Sequence, residues 1–323
     1  MDGLDLVTGA FGNTGSAIAR LLAERGRAVR TLTGHPPADP TGAGAIDVQE
    51  FAWGDPYRMA KAFEGVETFY NTYWMRLGDG HGAYDLAVDR CTQLIEAAEA
   101  SGVERIVHVS VAHPSLTSPY PYFQAKAQVE ERLDKSSVPT LVVRPTLVFG
   151  GQSVLINNLA WLLRKMPVFA VAGWGHYRVR PVHVDDLALL CVGGPRRVDQ
   201  PEVHAEHTVA PAPHVVVDAV GPDRPTYIEL VRELRYVLGA RTLLINLPAT
   251  AVLLGGRVVG AVLHDELLDH DELISTMAGL ADTEGPPTGV VSLRTWIQDN
   301  ADLLGRSYHN ERQARTRPSS TTG

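Results

Sequence analysis

The stretch TGAFGNTG, residues 8–15, follows the short apolar run LDLV and precedes AIARLLAERG, which has helical spacing. A strand, a glycine-rich turn and a helix in this order are typical of a dinucleotide-binding crossover. Its glycines allow a tight turn, close approach of the backbone to a diphosphate, and close packing of helix on strand. The N-terminus of the helix offers N–H groups and a partial positive charge to phosphates. The cofactor is therefore predicted to contact Gly9, Phe11, Gly12, Asn13, Thr14 and Gly15.

Strand-like and helix-like segments alternate downstream of this stretch. The strand-like segments are AVRTLT (28–33), VETFYNTY (66–73), RIVHVSV (105–111) and VPTLVVRPTLVFG (138–150), and DLAVDRCTQLIEAAEASG (85–102) is a helix. This rhythm predicts an α/β fold with a Rossmann-type, doubly wound parallel sheet. Ligands of such sheets bind beyond the carboxyl ends of the strands.

The rhythm changes after residue 150, where leucine-rich helical segments dominate. We predict a dinucleotide-binding domain over residues 1–150, with residues 176–221 returning to it. A smaller, mainly helical lobe over residues 151–175 and 222–308 is predicted to cover the substrate, and residues 309–323 to form a flexible tail. The apolar segment 249–263 is interpreted as a buried helix, with peripheral membrane contact as the alternative.

Composition excludes several classes of protein. The chain has 323 residues, 45% of them hydrophobic, and a net charge of −8, which argues against a nucleic-acid partner. Cys91 and Cys191 lack metal or disulfide spacing, so we expect a cytoplasmic protein. The longest apolar run is too short for an integral membrane span. We predict no metal site, because strand alternation scatters the grouped side chains His176, His183, Asp185 and Asp186.

The second strand decides the type of nicotinamide cofactor. NAD-binding proteins usually place an acid at its end, for the ribose hydroxyls. Here that stretch reads TLTGHPP and has no acid, whereas Arg30 and His35 are nearby and could meet a 2′-phosphate. NADP is therefore weakly preferred; the alternative is a solvated Arg30 and a site that accepts NAD or NADP.

Five segments resemble the atypical, extended-like short-chain dehydrogenase/reductases, in the NAD(P)H-binding, NmrA-like and complex I accessory-subunit-like branch. They are TGAFGNTG (8–15), GVERIVHVSV (102–111), YFQAKAQVE (122–130), VRPTLVFG (143–150) and RPVHVDDLA (180–188). The resemblance implies a dinucleotide-binding fold and an acid/base tyrosine with a lysine that bonds the nicotinamide ribose. It also implies a serine or threonine beyond the fifth strand. Many relatives of this type only bind the cofactor.

Tyr122 stands four residues before Lys126, so both side chains lie on one helical face. A neighbouring ammonium favours phenolate, which suits a tyrosine to proton transfer at a carbonyl. The alternative is a first-turn tyrosine beside a solvated lysine, and Tyr120 competes for the role. Ser110 is the candidate for the polarising hydroxyl; if the position falls on Val111 the hydroxyl is missing, and His113 could substitute as a donor.

The segment YNTYWMRLGDG (70–80) follows the fourth strand and in this fold overlooks the nicotinamide. Thr72 is predicted to contact the cofactor, and Tyr73, Trp74, Arg76 and His113 to line the substrate pocket. Aromatic packing with a surface arginine is the alternative. Two functions stay open: an oxidoreductase (or an epimerase or dehydratase variant) acting on a small carbonyl or hydroxyl compound, and a non-catalytic sensor or assembly protein. A homodimer is compatible with either.

Overall fold

The computed structural model describes residues 3–34, 45–75, 81–151, 153–194, 214–263 and 270–309. These fall into two compact units, one within Met1–Pro145 and Val184–Ala219 and the other within Thr146–His183 and Val220–Arg317. His35, Arg76 and residues 310–323 of the predicted tail lie outside the described residues. The assignment of the second unit to the substrate stays a prediction.

The strands and helices of the described residues are numbered here in chain order. The strands are β1 Leu4–Thr8, β2 Ala28–Thr33, β3 Ile46–Glu50, β4 Val66–Asn71, β5 Arg105–Val109, β6 Thr140–Pro145, β7 Val148–Phe149, β8 Val168–Ala172, β9 Val182–His183, β10 His214–Ala219 and β11 Leu243–Leu247. The helices are α1 Asn13–Glu24, α2 Pro56–Ala62, α3 His81–Ala100, α4 Pro121–Asp134, α5 Val154–Lys165, α6 Val184–Gly193, α7 Tyr227–Val237, α8 Ala249–Leu263, α9 His270–Met277 and α10 Leu293–Asp299.

The first unit is built on a seven-stranded parallel sheet of order β10-β6-β5-β4-β1-β2-β3. The strand order reverses beside β1, between β1 and β4, which places a crevice at the carboxyl ends of these two strands. The predicted Rossmann-type α/β class is thus confirmed. The strand β10 and the helix α6, which follow the predicted domain end in the chain, belong to this unit.

Apolar side chains from neighbouring strands form the core of the first unit. Leu6, Phe69 and Ile106, on β1, β4 and β5, are fully buried. They belong to one cluster with Phe63, which directly follows α2, and Leu94, which lies on α3. Strands that are covered in this way are apolar through most of their length, which is why the sequence pattern predicts them.

The second unit is mainly helical and carries two small sheets, β7 with β9 and β8 with β11. Its core joins the helices α5, α7 and α10 through Leu163, Leu234 and Ile297, all at most 1% exposed. Thr226 and Glu229 form a reciprocal capping box that fixes the start of α7. This unit therefore has a core of its own.

The prediction of a buried helix over residues 249–263 is wrong about burial. The helix forms as α8, but Leu254 and Val258 are 64% and 62% exposed. Apolar composition indicates that a helix prefers contact with other apolar surface, but it does not specify which neighbour provides it. No helix in the described part of the chain is both long and apolar enough to cross a membrane.

Candidate functional site

The turn between β1 and α1 has the geometry of a diphosphate-binding loop. Gly9 adopts a φ of +64°, and its N–H donates to the carbonyl oxygen of Leu32 at 3.0 Å. Gly12 in turn donates to the carbonyl oxygen of Gly9 at 2.9 Å. A Cβ at Gly15 would lie 2.2 Å from that same Gly9 oxygen. Only glycine fits at residue 15, because α1 packs directly against the loop backbone.

The N-terminus of α1 offers donors for a negatively charged group. Gly12 is the N-cap residue and provides no side-chain cap. The first hydrogen bond of the helix joins the Ser16 N–H to the Gly12 carbonyl at 2.9 Å. The N–H groups of the first turn have no acceptor within the helix, and the dipole favours an anion there. The loop therefore fits the diphosphate of a dinucleotide.

Three threonines hold this loop, and two of them were missed by the sequence prediction. Thr31 Oγ1 donates to the carbonyl of Val7 at 2.7 Å and accepts from the Ala10 N–H at 3.1 Å. Thr8 Oγ1 accepts from the Thr72 N–H at 2.9 Å, and Thr72 Oγ1 donates to the Thr8 carbonyl at 2.6 Å. The Thr72 hydroxyl therefore joins β1 to the end of β4; its predicted cofactor contact stays a prediction. The sequence offered no motif for Thr8 and Thr31, because their partners are distant along the chain.

Tyr122 and Lys126 lie against the same indole ring. Tyr122 is in the first turn of α4, half-buried, with its ring centroid 5.7 Å from that of Trp74 in an edge-to-face arrangement. Lys126 is 3% exposed, and its Nζ lies 4.0 Å from the Trp74 ring centroid. The same Nζ donates to the carbonyl of Val109 at the end of β5, at 3.1 Å. The pair predicted from spacing is thus brought together at the carboxyl end of the sheet.

Unpaired polar atoms concentrate beside this pair. Among the described residues, buried side-chain atoms without a hydrogen-bond partner include Asn71 Nδ2, Trp74 Nε1, both ring nitrogens of His108 and Ser110 Oγ. All lie on β4 or β5 or within three residues of their carboxyl ends. An unsatisfied buried polar group costs about 1–3 kcal/mol, so an accumulation of them marks a place where a ligand or water completes the bonding.

Ser110 is the residue directly after β5. It is 4% exposed, its N–H donates to the Val143 carbonyl at 2.8 Å, and its hydroxyl is one of the unpaired atoms. Val111 is also buried, at 8%. His113 is exposed and has a φ of 57°, the one positive value outside glycine in the described residues. A strained backbone of this kind is common near functional sites; the roles of Ser110 and His113 stay predictions.

Tyr73 and Trp74 have different surroundings although they are adjacent. The Tyr73 ring packs on Phe51 and Trp53, at centroid distances of 5.2 and 5.3 Å. Its hydroxyl accepts from Arg90 Nη1 at 3.1 Å, and burial raises its pKa. Trp74 instead contacts Tyr84, Tyr122 and Lys126. Of the two, Trp74 is the one that the structure places with the tyrosine–lysine pair.

Arg30 has three partners within the first unit. Its Nε donates to Asp47 at 2.6 Å, and its Nη1 donates to the carbonyls of Ala62 and Glu64 at 2.8 and 3.1 Å. A bond to a 2′-phosphate would have to compete with these contacts, because Arg30 is in the middle of β2 and not at its end. In this structure Arg30 joins β2 to Asp47 of β3 and to the end of α2. Its predicted contact with a 2′-phosphate stays a prediction.

Replacement of Arg30 by Met is expected to lower the free energy of unfolding by about 1–2 kcal/mol, because two carbonyls and Asp47 lose a partner. The ratio of the NADPH and NADH dissociation constants should not change. Arg58→Met, which removes an exposed arginine of α2, is the matched control. Chemical denaturation and calorimetric titration measure the two quantities. A selective loss of NADPH affinity would instead assign the 2′-phosphate to Arg30.

His108 is fully buried on β5, and burial together with the Lys126 charge holds its pKa well below 6.5. The unfolded chain therefore binds a proton below about pH 6.5 that the folded chain does not bind. Stability is expected to fall as the pH drops below that value, by up to about 1.4 kcal/mol per pH unit from this residue. Denaturation curves recorded at pH values from 7 to 5 give the free energy of unfolding at each pH. This free energy should depend less on pH in His108→Phe than in the parent protein. The exposed His176→Phe variant is the control, and an unchanged slope in His108→Phe would contradict the assignment.

Neither unit offers a metal centre among the described residues, where no group of three or more His, Cys, Asp or Glu side chains could hold an ion. The site at the carboxyl ends of β1, β4 and β5 is thus made of backbone amides, hydroxyls, aromatic rings and one lysine.

Comparison with known proteins agrees with this geometry. Residues 9–154 match the protein family described as NAD(P)H-binding. The chain is 27% identical over 264 residues to ceramide reductase of Caulobacter vibrioides, covering 80% of this chain and 78% of that protein. It is 29% identical over 215 residues to 2-alkyl-3-oxoalkanoate reductase of Stenotrophomonas maltophilia, covering 57% and 62%.

A complex I subunit and a solved reductase structure are also similar to this chain. NADH dehydrogenase (ubiquinone) 1 alpha subcomplex subunit 9 of Arabidopsis thaliana is 25% identical over 144 residues, covering 42% of this chain and 35% of the subunit. The chain thus spans less than two thirds of the Stenotrophomonas and Arabidopsis proteins. The solved triphenylmethane reductase of Citrobacter sp. with NADP(H) superposes with a TM-score of 0.67 at 15% identity, over 92% of this chain and 99% of that one.

The parallel sheet, the glycine turn and the helix that follows it define a Rossmann-type dinucleotide-binding protein. More particularly, residues 9–154 are similar to the NAD(P)H-binding family, and the proteins that the chain resembles include reductases. The resemblance to atypical short-chain dehydrogenase/reductases is confirmed.

Proposed function

We propose that this protein is an NAD(P)H-dependent reductase that acts on a carbonyl group of an apolar, lipid-like substrate. The observation that carries the proposal is the contact of Tyr122 and Lys126 with the same Trp74 ring. The buried, unpaired hydroxyl of Ser110 follows Val109, whose carbonyl accepts from Lys126 Nζ. All these residues belong to the unit that contains the glycine loop. The bound nicotinamide supplies hydride in this chemistry.

In this mechanism Tyr122 transfers its hydroxyl proton to the substrate oxygen, and the carbonyl becomes an alcohol. Lys126 provides a fixed positive charge that favours the phenolate left behind, and its Nζ would hold the nicotinamide ribose of a bound cofactor. Ser110 donates its hydroxyl proton in a hydrogen bond to the same substrate oxygen. Because Lys126 is buried, little water competes with this charge.

The substrate class is inferred from the surroundings of Tyr122. Its ring lies 5.7 Å from Trp74 and 6.3 Å from Tyr84, so the wall near the proton donor is aromatic. Two of the similar proteins are named for reduction of a ceramide and of an alkyl-substituted oxoalkanoate. A carbonyl attached to an apolar chain fits both observations.

The proposed function is tested by the oxidation of NADPH and NADH in the presence of oxo compounds of increasing chain length. Activity should rise with the apolar length of the substrate, and a short ketone should be a poor substrate. NADPH is the cofactor to test first. The strand β2 ends at Thr33 and is followed by Gly34, so neither position has the acidic side chain that usually binds the ribose hydroxyls of NAD. Tight cofactor binding with no turnover of any oxo compound would reject the proposal.

That outcome would favour the second candidate, a non-catalytic NAD(P)H-binding subunit. Its supporting observations are the similarity to the Arabidopsis subunit and the Trp74 ring that lies over Lys126 Nζ. An indole in this position competes with a ribose for the ammonium group. If Lys126 binds the cofactor, Trp74 has to move when the cofactor enters.

Cofactor binding is therefore expected to change the tryptophan fluorescence of the protein through Trp74. The wavelength of maximum tryptophan emission should shift when the oxidised nucleotide is added to the parent protein. The reason is that the Trp74 indole moves away from the Lys126 ammonium group. Trp74→Phe removes this component, while Trp296→Phe, in the second unit, keeps it. A nucleotide-dependent shift that persists unchanged in Trp74→Phe would contradict the expected movement.

A further inference from the structure

The helix α8 exposes apolar residues along one side. Leu254 and Val258 are 64% and 62% exposed, and Ala251 and Gly255 are exposed as well. These positions are three or four residues apart and therefore form one stripe along the helix. We call these four residues the α8 stripe. An apolar stripe normally faces a core, so its exposure indicates a surface that another body covers.

The other side of α8 is occupied within the second unit. Gly260 is buried and Gly256 is half-buried, both on the side opposite the α8 stripe, and the helix packs on β8. Because α8 is already packed on that side, the α8 stripe is not a core surface of the unit. The helix has 15 residues and a length of about 22 Å. It is too short to cross a bilayer but long enough to lie on one.

The charge on α8 indicates what covers the stripe. Arg257 is the one charged residue of the helix and is exposed at the edge of the stripe. An arginine at such an edge lays its stem on the apolar surface and extends its guanidinium to a lipid phosphate. No acidic residue of α8 opposes that contact. The helix thus complements a phospholipid surface in both its apolar and its charged groups.

We propose that the α8 stripe, with Arg257 at its edge, docks on the surface of a phospholipid bilayer. The choice of a bilayer rests in part on the proposed function, because a lipid-like substrate is delivered from a membrane. A second copy of the chain fits less well. A symmetric contact through the α8 stripe would bring two Arg257 side chains together, with no acid on the helix to receive them.

The full chain, without nucleotide or substrate, is mixed with phosphatidylcholine vesicles and the bound fraction is measured by flotation. We expect binding that changes little with salt, because the net charge of −8 offers no general attraction to lipid and apolar contact must dominate. Leu254→Ser with Val258→Ser should lower the partition coefficient at least tenfold. On vesicles that also contain phosphatidylglycerol, Arg257→Gln should lower it about fivefold.

The matched control is Leu303→Ser with Val290→Ser, which removes the same two residue types at 71% and 74% exposure in the same unit. It should bind vesicles like the parent. Equal melting temperatures of both double variants exclude unfolding as the cause. The proposal is overturned if the parent does not float with vesicles, if the control loses binding equally, or if light scattering shows a dimer that the α8 variant alone dissociates. Since no nucleotide is present, each result is independent of the reductase assay.

Discussion

Replacement of Tyr122 by Phe is expected to lower the turnover number for carbonyl reduction by about 10²–10⁴-fold, the usual contribution of a positioned general acid. The ring stays in its contacts with Trp74 and Phe123, so only the proton donor is lost. NADPH affinity should be unchanged, because the hydroxyl acts on the substrate oxygen. Steady-state kinetics and calorimetric titration of the same preparation measure both quantities.

The matched control for this variant is Tyr84→Phe. The Tyr84 ring also lies beside Trp74 and Tyr122, at 6.5 and 6.3 Å, and the change again removes one hydroxyl. It should keep most of the activity. Equal activity losses in the two variants would show that a phenol hydroxyl in this aromatic cluster matters for packing, and Tyr122 would lose its role as proton donor.

The second large effect is expected from Gly15→Ala. The added Cβ would lie 2.2 Å from the oxygen and 2.7 Å from the carbon of the Gly9 carbonyl group, and neither backbone atom can yield without moving the loop from α1. We expect a loss of about 2–3 kcal/mol in the free energy of unfolding. The dissociation constant for NADPH should rise at least tenfold, because the N–H groups that face the diphosphate are displaced.

Gly193→Ala is the control for the glycine substitution. Gly193 is the last residue of α6 in the same unit, and a Cβ there has no atom within 4 Å. Its stability should stay equal or rise slightly, since alanine favours helices. If Gly15→Ala melts and binds NADPH like this control, the close approach of α1 to the Gly9 carbonyl is not what shapes the loop.

The fold was predictable where each segment carries its own signal. The glycine turn follows an apolar strand, and the alternation of strands and helices up to residue 150 predicted the parallel sheet. The strand β3, IDVQE, was missed because it is a short edge strand whose side chains are half-buried or exposed, so its sequence lacks an apolar run. The burial of α8 was predicted incorrectly, because apolarity does not reveal which neighbour covers a helix.

The site was predictable only in part. The spacing of Tyr122 and Lys126 indicated a shared helical face, and the structure places both beside Trp74. The threonines Thr8 and Thr31 gave no motif, since their role depends on strands that are distant in sequence. Unpaired atoms such as Ser110 Oγ become visible only when packing is known. Tertiary contacts, not local pattern, decide these features.

The central claim is that backbone N–H groups at the start of α1 hold the diphosphate of a nicotinamide nucleotide. Calorimetric titration of the full chain with NADPH and with NADH tests it most directly. We predict saturable binding of at least one of the two nucleotides at one site per chain, with a dissociation constant at least tenfold higher in Gly15→Ala. Absence of saturable heat with both nucleotides, for a chain that melts cooperatively, would contradict the account.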